Sequence, residues 1–224
     1  MPRTLRIWDL PTRLFHWALV ACVTGAFITV KLGGLYMDWH VRFGLVTVGL
    51  IAFRLLWGFA GPRYARFSQF LRGPATIIAY LRGRLRTVGH NPLGALSVMA
   101  MLLSIGFQAA SGLFVSDDIL IQGPLNSYVS EGVANTLTRL HKANEWIMII
   151  LVALHLLALL WYGLVKRQPL VRAMITGDAP ACELPGDAAP ARDDLTLRLR
   201  ALVLALCCAA LVLWLDSLET LPSF

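Results

Sequence analysis

Four of the five histidines lie in or at the edge of long apolar runs. They are His16, His40, His141 and His155, whereas His90 lies in a basic loop. An imidazole in hydrocarbon is unfavourable unless it has a partner, and ionisable residues inside membrane spans mark functional sites by default. The four histidines are therefore candidate ligands, and their depths decide which of them can act together.

Five apolar runs of about membrane length position these histidines. They predict spans over residues 14–30, 41–60, 93–115, 145–165 and 199–215. Pro74 is expected to open a short interfacial helix that ends near Gly83. Of the 224 residues, 57% are hydrophobic and 15% are charged, whereas soluble domains carry about 25% charged residues. The composition predicts an all-α integral membrane protein surrounded by lipid.

The net charge of +7 lies in short segments between the runs. A membrane surface, and not nucleic acid, is therefore the expected partner. Segments 1–13, 61–92 and 166–200 hold three, six and six of the 20 lysines and arginines. Because cytoplasmic loops carry the excess of these residues, we expect a cytoplasmic N-terminus and, after five spans, a C-terminus on the opposite side.

This orientation assigns each histidine a depth. His16 lies near the cytoplasmic start of the first span, and His40 lies at the outer start of the second. His141 and His155 are 14 residues apart, which in a helix corresponds to about 21 Å along the axis and about 40° around it. One helix thus presents a histidine at each of two levels. His40 matches the level of His141, and His16 matches that of His155.

Two histidine pairs at two depths suit two planar iron porphyrins, each of which takes two axial nitrogens. A bis-histidine haem iron has no open position for oxygen, which favours electron transfer. Zinc prefers three or four ligands per site, and for any single histidine a hydrogen-bonded helix contact is the alternative. The four cysteines form no C-x-x-C-H motif, so c-type haem attachment is not predicted.

Five sequence blocks follow one another from the first span to the loop after the fourth. They are RIWDLPTRLFHW, WHVRFG, FRLLWGFAGPRYARFSQFLRGP, GHNPLG and VRAMITG. In this order, over roughly residues 5–177, they resemble the bacterial cytochrome b561 family. Its wider superfamily includes the cytochrome b subunits of nickel-iron hydrogenases and formate dehydrogenases. The resemblance implies a four-helix bundle with two haem b groups, the inner held by His16 and His155 and the outer by His40 and His141.

The resemblance also implies a function in the bacterial inner membrane, with quinone as substrate. With the orientation and the five spans predicted above, the C-terminus would then lie in the periplasm. The chain would exchange electrons between the quinone pool and a redox protein or small donor, such as superoxide, on the periplasmic side. It would act either as a stand-alone oxidoreductase or as the relay subunit of a larger dehydrogenase or hydrogenase. A haem-free membrane scaffold or transporter subunit is the alternative, and its four histidines would bind nothing.

The predicted organisation has three parts. A di-haem membrane domain spans residues 1–177, a flexible cytoplasmic linker spans 178–198, and an extra C-terminal transmembrane helix spans 199–224. The linker is expected to be flexible because it is rich in Pro, Gly, Ala and Asp. The fifth span is a departure from a four-helix family.

Three arginines near the predicted haem levels are candidate partners of haem propionates. They are Arg13, Arg42 and Arg54, and contact with lipid headgroups is the alternative for each. His90 precedes Asn91 and Pro92, which are typical of a helix entry. We therefore interpret His90 as structural, with proton handling near a quinone as the minority alternative.

Tryptophans and glycines in the spans have two interpretations each. Tryptophans near helix ends predict interfacial anchoring, and they are Trp17, Trp57, Trp146 and Trp161. Small residues leave room either for a porphyrin face or for close helix packing, and they are Gly25, Gly44, Gly49 and Gly106.

Overall fold

A computed structural model describes residues 4–84, 88–116, 122–181 and 188–218. In chain order its elements are β1 Thr4–Arg6, α1 Leu10–Leu32, α2 Met37–Ala60, α3 Phe67–Phe70, α4 Pro74–Leu81, α5 Pro92–Gly112, α6 Glu131–Leu164, α7 Leu170–Thr176, β2 Asp178–Pro180 and α8 Leu195–Asp216. Within the described residues, five helices are long and apolar enough to cross a membrane: α1, α2, α5, α6 and α8. The prediction of a helical membrane protein with five spans is confirmed.

The helix that carries His141 and His155 is longer than the apolar run that predicted it. The run begins at Glu145, but α6 begins at Glu131 and continues without a break to Leu164. The hydropathy of a run reports which residues suit lipid, and a helix continues beyond that limit wherever its backbone hydrogen bonds are made. The two histidines therefore share one continuous helix, as their assigned depths require.

Polar residues and prolines begin the helices where the sequence places them. The Thr12 backbone N–H donates to Asp9 Oδ1 over 2.9 Å at the start of α1. The Gly94 N–H donates to Asn91 Oδ1 over 2.7 Å at the start of α5. Each cap satisfies one of the N–H groups that a first turn leaves unpaired. Pro74 stands in the first turn of α4, so the predicted short helix is confirmed there.

The chain divides into two compact units, and each contains part of every spanning helix. Unit 1 comprises Met1–Phe15, Arg54–Met101 and Leu151–Leu202, and unit 2 comprises His16–Phe53, Leu102–Ile150 and Val203–Phe224. The fifth helix contributes residues to both units. The predicted domain limit at residue 177 stays a prediction.

Unit 1 contains a small sheet and an aromatic core. β1 pairs antiparallel with β2, and Leu5 is opposite Ala179. Buried side chains of Ile7, Trp8 and Tyr64 form a hydrophobic cluster next to this sheet, together with Ala173 and Ala191. The sequence analysis did not predict the sheet, because three-residue strands carry too little alternation to detect.

The described ends of the predicted flexible linker are held by specific bonds. The Ala191 N–H donates to the Arg6 carbonyl over 2.8 Å, and Asp193 pairs with Arg6 at 3.1 Å and with Arg198 at 3.0 Å. α8 begins at Leu195, four residues before the predicted boundary. Residues 182–187 lie outside the described residues. Composition alone did not indicate these bonds because they join residues far apart in the sequence.

In unit 2, two of the four highlighted glycines are accounted for by helix packing. A Cβ on Gly25 would lie 2.7 Å from the Phe43 ring, and one on Gly49 would lie 2.7 Å from Val212 Cγ2 of α8. A Cβ on Gly106 would make an ordinary contact with Ile51 at 3.5 Å, and one on Gly44 would have no described atom within 4 Å. Close packing therefore does not explain Gly44 or Gly106.

Candidate functional site

His40 and His141 come together within unit 2. His40 is supplied by the first turn of α2, and His141 by the N-terminal half of α6. Their ring centroids are 6.4 Å apart, and the ring planes make an angle of 86°. The two histidines that depth alone paired at the outer level are therefore neighbours in the structure.

The protonation of His40 follows from its hydrogen bond. His40 Nδ1 lies 2.9 Å from the Ala26 carbonyl oxygen of α1. A carbonyl oxygen only accepts hydrogen bonds, so Nδ1 must carry the proton and donate it. In a neutral imidazole the other nitrogen, Nε2, then has a lone pair, and it is the atom that can bind a metal.

The His141 ring is held in a similar way by the end of α5. His141 Nδ1 lies 3.1 Å from Ser111 Oγ. A Cβ on Gly112 would lie only 3.2 Å from His141 Cε1, so the glycine makes room for the ring. Ligating histidines almost always use their second ring nitrogen in a hydrogen bond that fixes ring orientation, and both rings meet that condition.

The separation of the two rings fits a pair of axial ligands on one iron. A metal–imidazole bond is about 2.0–2.1 Å, and the ring centre lies about 1.1 Å beyond the nitrogen. Two opposite imidazoles therefore place their centroids about 6.3 Å apart, close to the observed 6.4 Å. In the part of the chain that the structure describes, no group of three or more His, Cys, Asp or Glu side chains is placed to hold a metal ion.

A polar network next to this pair joins α5 to α6, and the sequence analysis did not identify it. Asn144 Nδ2 donates to Gln108 Oε1 over 2.8 Å and to the Ser104 carbonyl over 3.0 Å, and Ser104 Oγ donates to Asn144 Oδ1 over 3.0 Å. Asn144 follows His141 by three residues, and Ser111 follows Gln108 by three. This helical spacing of polar residues within apolar spans was the available signal.

His16 and His155 belong to different compact units. His16 is half-buried on α1 in unit 2, and His155 is half-buried on α6 in unit 1. The His16 ring meets that of Trp17 edge-on, at a centroid distance of 5.0 Å. The pairing of His16 with His155 stays a prediction.

Arg54 is held by protein groups in unit 1. Its side chain is buried, and Nη2 donates to the Ala65 carbonyl over 3.1 Å. Its guanidinium carbon lies 4.8 Å from the centre of the Phe67 ring and 5.9 Å from that of Phe70. Nη1 is buried, and no described atom accepts a hydrogen bond from it. The guanidinium therefore does not extend to a surface, and one of its nitrogens is available to an acceptor.

The other two candidate arginines also have protein contacts. Arg13 Nη1 donates to the Ile175 carbonyl over 2.6 Å and thereby links α1 to α7. The Arg42 side chain is exposed and lies over the Trp39 ring at 5.4 Å. Both contacts are compatible with either interpretation of these arginines, so the propionate assignments stay predictions.

Interfacial anchoring is wrong for Trp57. Its side chain has no exposed surface, and its Nε1–H donates to Asp9 Oδ1 over 3.2 Å. The hydrogen bond draws Trp57 inward, because Asp9 is itself buried and needs donors. Trp17, Trp146 and Trp161 are exposed.

His90 packs against two aromatic rings. Its ring centroid lies 4.7 Å from that of Trp8 and 5.0 Å from that of Phe70.

Comparison with known proteins identifies the family of the chain. A family model described as prokaryotic cytochrome b561 matches residues 7–177. No curated protein and no solved structure matches the chain. The matched region contains the first four membrane-spanning helices and all four candidate histidines. The chain therefore belongs to the prokaryotic cytochrome b561 family, the transmembrane b-type cytochromes of electron transfer.

Proposed function

We propose that the chain is a di-haem cytochrome b that moves electrons between a periplasmic donor or acceptor and quinone in the bacterial inner membrane. The 6.4 Å separation of the His40 and His141 rings carries the proposal. His40 and His141 would hold a haem between them, and that haem would supply one-electron oxidation and reduction.

The task of the protein at this site is to fix the two rings with their Nε2 atoms unprotonated. The Ala26 carbonyl and the Ser111 hydroxyl each engage one Nδ1. Such partners fix the tautomer and raise the basicity of the ligand. Ligands that are already oriented also need little rearrangement when charge at the site changes.

The second pair in the proposal is His16 with His155, at the cytoplasmic level. The continuity of α6 from His141 to His155 supports it, because 14 helical residues correspond to about 21 Å and to nearly the same helix face. α1 likewise includes His16 in its second turn. The N-terminus would be cytoplasmic and the C-terminus periplasmic, as the lysines and arginines of the loops favour.

Arg54, Arg13 and Arg42 would neutralise haem propionates in this proposal. The support is clearest for Arg54, because its Nη1 is buried without a described acceptor. Leaving a buried N–H unpaired costs about 1–3 kcal/mol, and more for a charged group. A carboxylate accepting from Nη1 would remove that cost.

A donor would approach from the side of the membrane on which His141 lies. Arg139 and Lys142 are exposed on both sides of His141 in the sequence, and their positive charge suits a small anion such as superoxide or an acidic patch on a redox protein. The two possible arrangements of the protein, alone or in a larger complex, predict different behaviour on purification. A stand-alone oxidoreductase is active when purified alone, whereas a relay subunit co-purifies with its dehydrogenase or hydrogenase.

The first test is a dithionite-reduced minus oxidised spectrum of the purified full-length protein, with haem quantified as the pyridine haemochrome. We expect a b-type spectrum and two haems per chain. His40→Ala and His141→Ala should each remove the same haem, and His16→Ala and His155→Ala the other. His90→Ala is the matched control, because it removes an imidazole packed against aromatic rings, and it should retain both haems.

Two outcomes would contradict the proposal. Protein without haem, made with an adequate haem supply, would favour a haem-free scaffold or transporter subunit. A single haem that is lost only in the His40 and His141 variants would retain the outer site and remove His16 and His155 from the ligand set.

A further inference from the structure

The last turn of α5 places the Ser111 hydroxyl 3.1 Å from His141 Nδ1. We infer that Ser111 is a positioning residue that fixes the proton of His141 at Nδ1 and lowers the reduction potential of the outer haem. This inference rests on the proposed function, because it concerns a ligand of the proposed haem.

The proton positions follow from counting donors. Ser111 Oγ lies 3.2 Å from the Gln108 carbonyl and 3.1 Å from His141 Nδ1. A hydroxyl has one proton, and the carbonyl can only accept it. With that proton directed to Gln108, Ser111 Oγ accepts a hydrogen bond from His141 Nδ1–H.

The position of Ser111 makes this hydrogen bond strong. The residue is only 3% exposed, so water does not compete, and the low local dielectric strengthens the bond. α5 ends at Gly112, and the C-terminal end of a helix carries about half a negative charge. The Nδ1–H group of His141 therefore points toward partial negative charge.

His40 has a backbone partner instead. Its Nδ1 lies 2.9 Å from the Ala26 carbonyl in the interior of α1, and the nearby Thr29 hydroxyl makes its shorter contact, 2.7 Å, with the Gly25 carbonyl. Both outer ligands thus have an acceptor at Nδ1. Of these two acceptors only Ser111 Oγ is a side-chain atom, so only the partner of His141 can be removed by substitution.

The effect of Ser111 on the potential has a definite sign. A ligand that donates more electron density stabilises oxidised iron more than reduced iron, and partners of ligands tune a site in this way. Ser111→Ala should raise the ratio of reduced to oxidised outer haem at a fixed applied potential about three- to ten-fold. Tenfold corresponds to 59 mV for one electron. The inner haem should not change.

The experiment is a redox titration of the full-length haem protein, followed by electron paramagnetic resonance of its oxidised state, which reports ligand orientation. Ser104→Ala is the matched control: it removes another buried serine hydroxyl from α5, one that bonds Asn144 and no histidine. Ser111→Thr keeps the hydroxyl and should restore the wild-type potential. Ser111→Cys, a weaker acceptor, should shift it in the same direction as alanine but less.

The outcomes separate this inference from the proposed function. Wild-type protein without haem overturns the proposed function, and the inference with it, before any variant is measured. Haem protein in which Ser111→Ala and Ser111→Cys leave the outer potential and resonance unchanged overturns the inference alone. An equal shift in Ser104→Ala also overturns it, since the cause would then be a general loosening of α5.

Discussion

Buried polar residues occur in both units, but they are satisfied in different ways. In unit 1 the two Asp9 oxygens accept from Thr12 and Trp57, all within the protein. In unit 2 His40 and His141 each make a hydrogen bond through Nδ1, and their rings lie side by side. The hydrogen bonds of Asp9 stay within the fold, whereas each histidine retains a nitrogen that can bind a ligand.

Burial of a polar group therefore does not by itself identify a functional site. Asp9 is 1% exposed, yet its role follows from capping α1 and holding Trp57. The histidines are only half-buried, and their proposed role rests on the ring nitrogens that remain after hydrogen bonding. Four substitutions or pH series can break or sharpen this distinction.

Asp9→Ala should have the largest effect on stability and none on the ligands. The substitution removes the α1 cap, worth about 0.5–2 kcal/mol, and takes the Asp9 acceptor away from the buried Trp57 N–H, at about 1–3 kcal/mol. We expect a total loss of about 2–4 kcal/mol, measured as a lower thermal midpoint in detergent. Haem per folded chain should be unchanged.

Asp38→Ala is the control for Asp9→Ala, because Asp38 is an exposed acid in the first turn of α2. It should change stability by about 0.5 kcal/mol or less. If Asp9→Ala protein remains folded but loses haem, Asp9 is not purely structural, and the distinction between Asp9 and the histidines is contradicted.

Arg54→Gln tests a residue that resembles both Asp9, because it bonds within the protein, and the histidines, because one of its nitrogens could bind a ligand. Nη2 bonds Ala65 as a structural group would, but Nη1 is without a described acceptor. Loss of the hydrogen bond and of the ring contacts should destabilise the protein by about 1–2 kcal/mol. If a propionate accepts from Nη1, removing the positive charge should also lower the inner-haem potential in a redox titration.

Arg63→Gln is the matched control for Arg54→Gln, since Arg63 is exposed and lies over the Tyr64 ring. If Arg54→Gln lowers stability but changes neither haem potential, the role of Arg54 is structural, like that of Asp9.

Asp9 and Asp193 should give stability opposite dependences on pH. Burial raises the pKa of Asp9 above its ordinary value of 3.8, and hydrogen bonds from Thr12 and Trp57 offset only part of this. Partial burial would also raise the pKa of Asp193, but hydrogen bonds from Arg198 and Leu10 and the charges of Arg198 and Arg6 outweigh it, so that pKa is lowered.

The signs follow from proton linkage. The contribution of Asp9 is present below pH 3.8 and declines as pH rises through its folded pKa, whereas that of Asp193 is present above pH 3.8 and is lost as pH falls through its folded pKa. Thermal midpoints measured against pH should show that Asp9→Asn removes the first dependence and Asp193→Asn the second. Dependences of the same sign would refute this assignment.

The sequence predicted the features that depend on local pattern. Apolar runs located the five spans, and the spacing of His141 and His155 on one helix required only helical geometry. The same reasoning paired His40 with His141. It did not find Ser111 as a partner of His141, or Asp193 as a tie to Arg6, because 30 and 187 residues separate these pairs. Trp57 was misassigned for the same reason, since its partner Asp9 is 48 residues away.

Tyr80→Phe should have the smallest effect, and it tests a third polar contact in unit 1. Tyr80 Oη lies 2.7 Å from Tyr162 Oη, and Asn91 Nδ2 donates to Tyr162 Oη over 2.9 Å. Burial and the bond to Tyr162 raise the pKa of Tyr80, so the Tyr80 phenol is neutral at physiological pH.

Tyr162 is the centre of this contact because it bonds both of the other residues. Tyr80→Phe leaves Tyr162 paired with Asn91 and should cost about 0.5–1 kcal/mol. Tyr162→Phe leaves two polar groups unpaired and should cost about 1–2 kcal/mol. Hydrogen exchange of α4 amides should rise in both variants, because this bond joins α4 to α6, and Tyr128→Phe, on an exposed residue, should leave it unchanged. A larger cost for Tyr80→Phe than for Tyr162→Phe would mean that Tyr80 has a further acceptor, and this contact would then resemble the histidine pair more than Asp9.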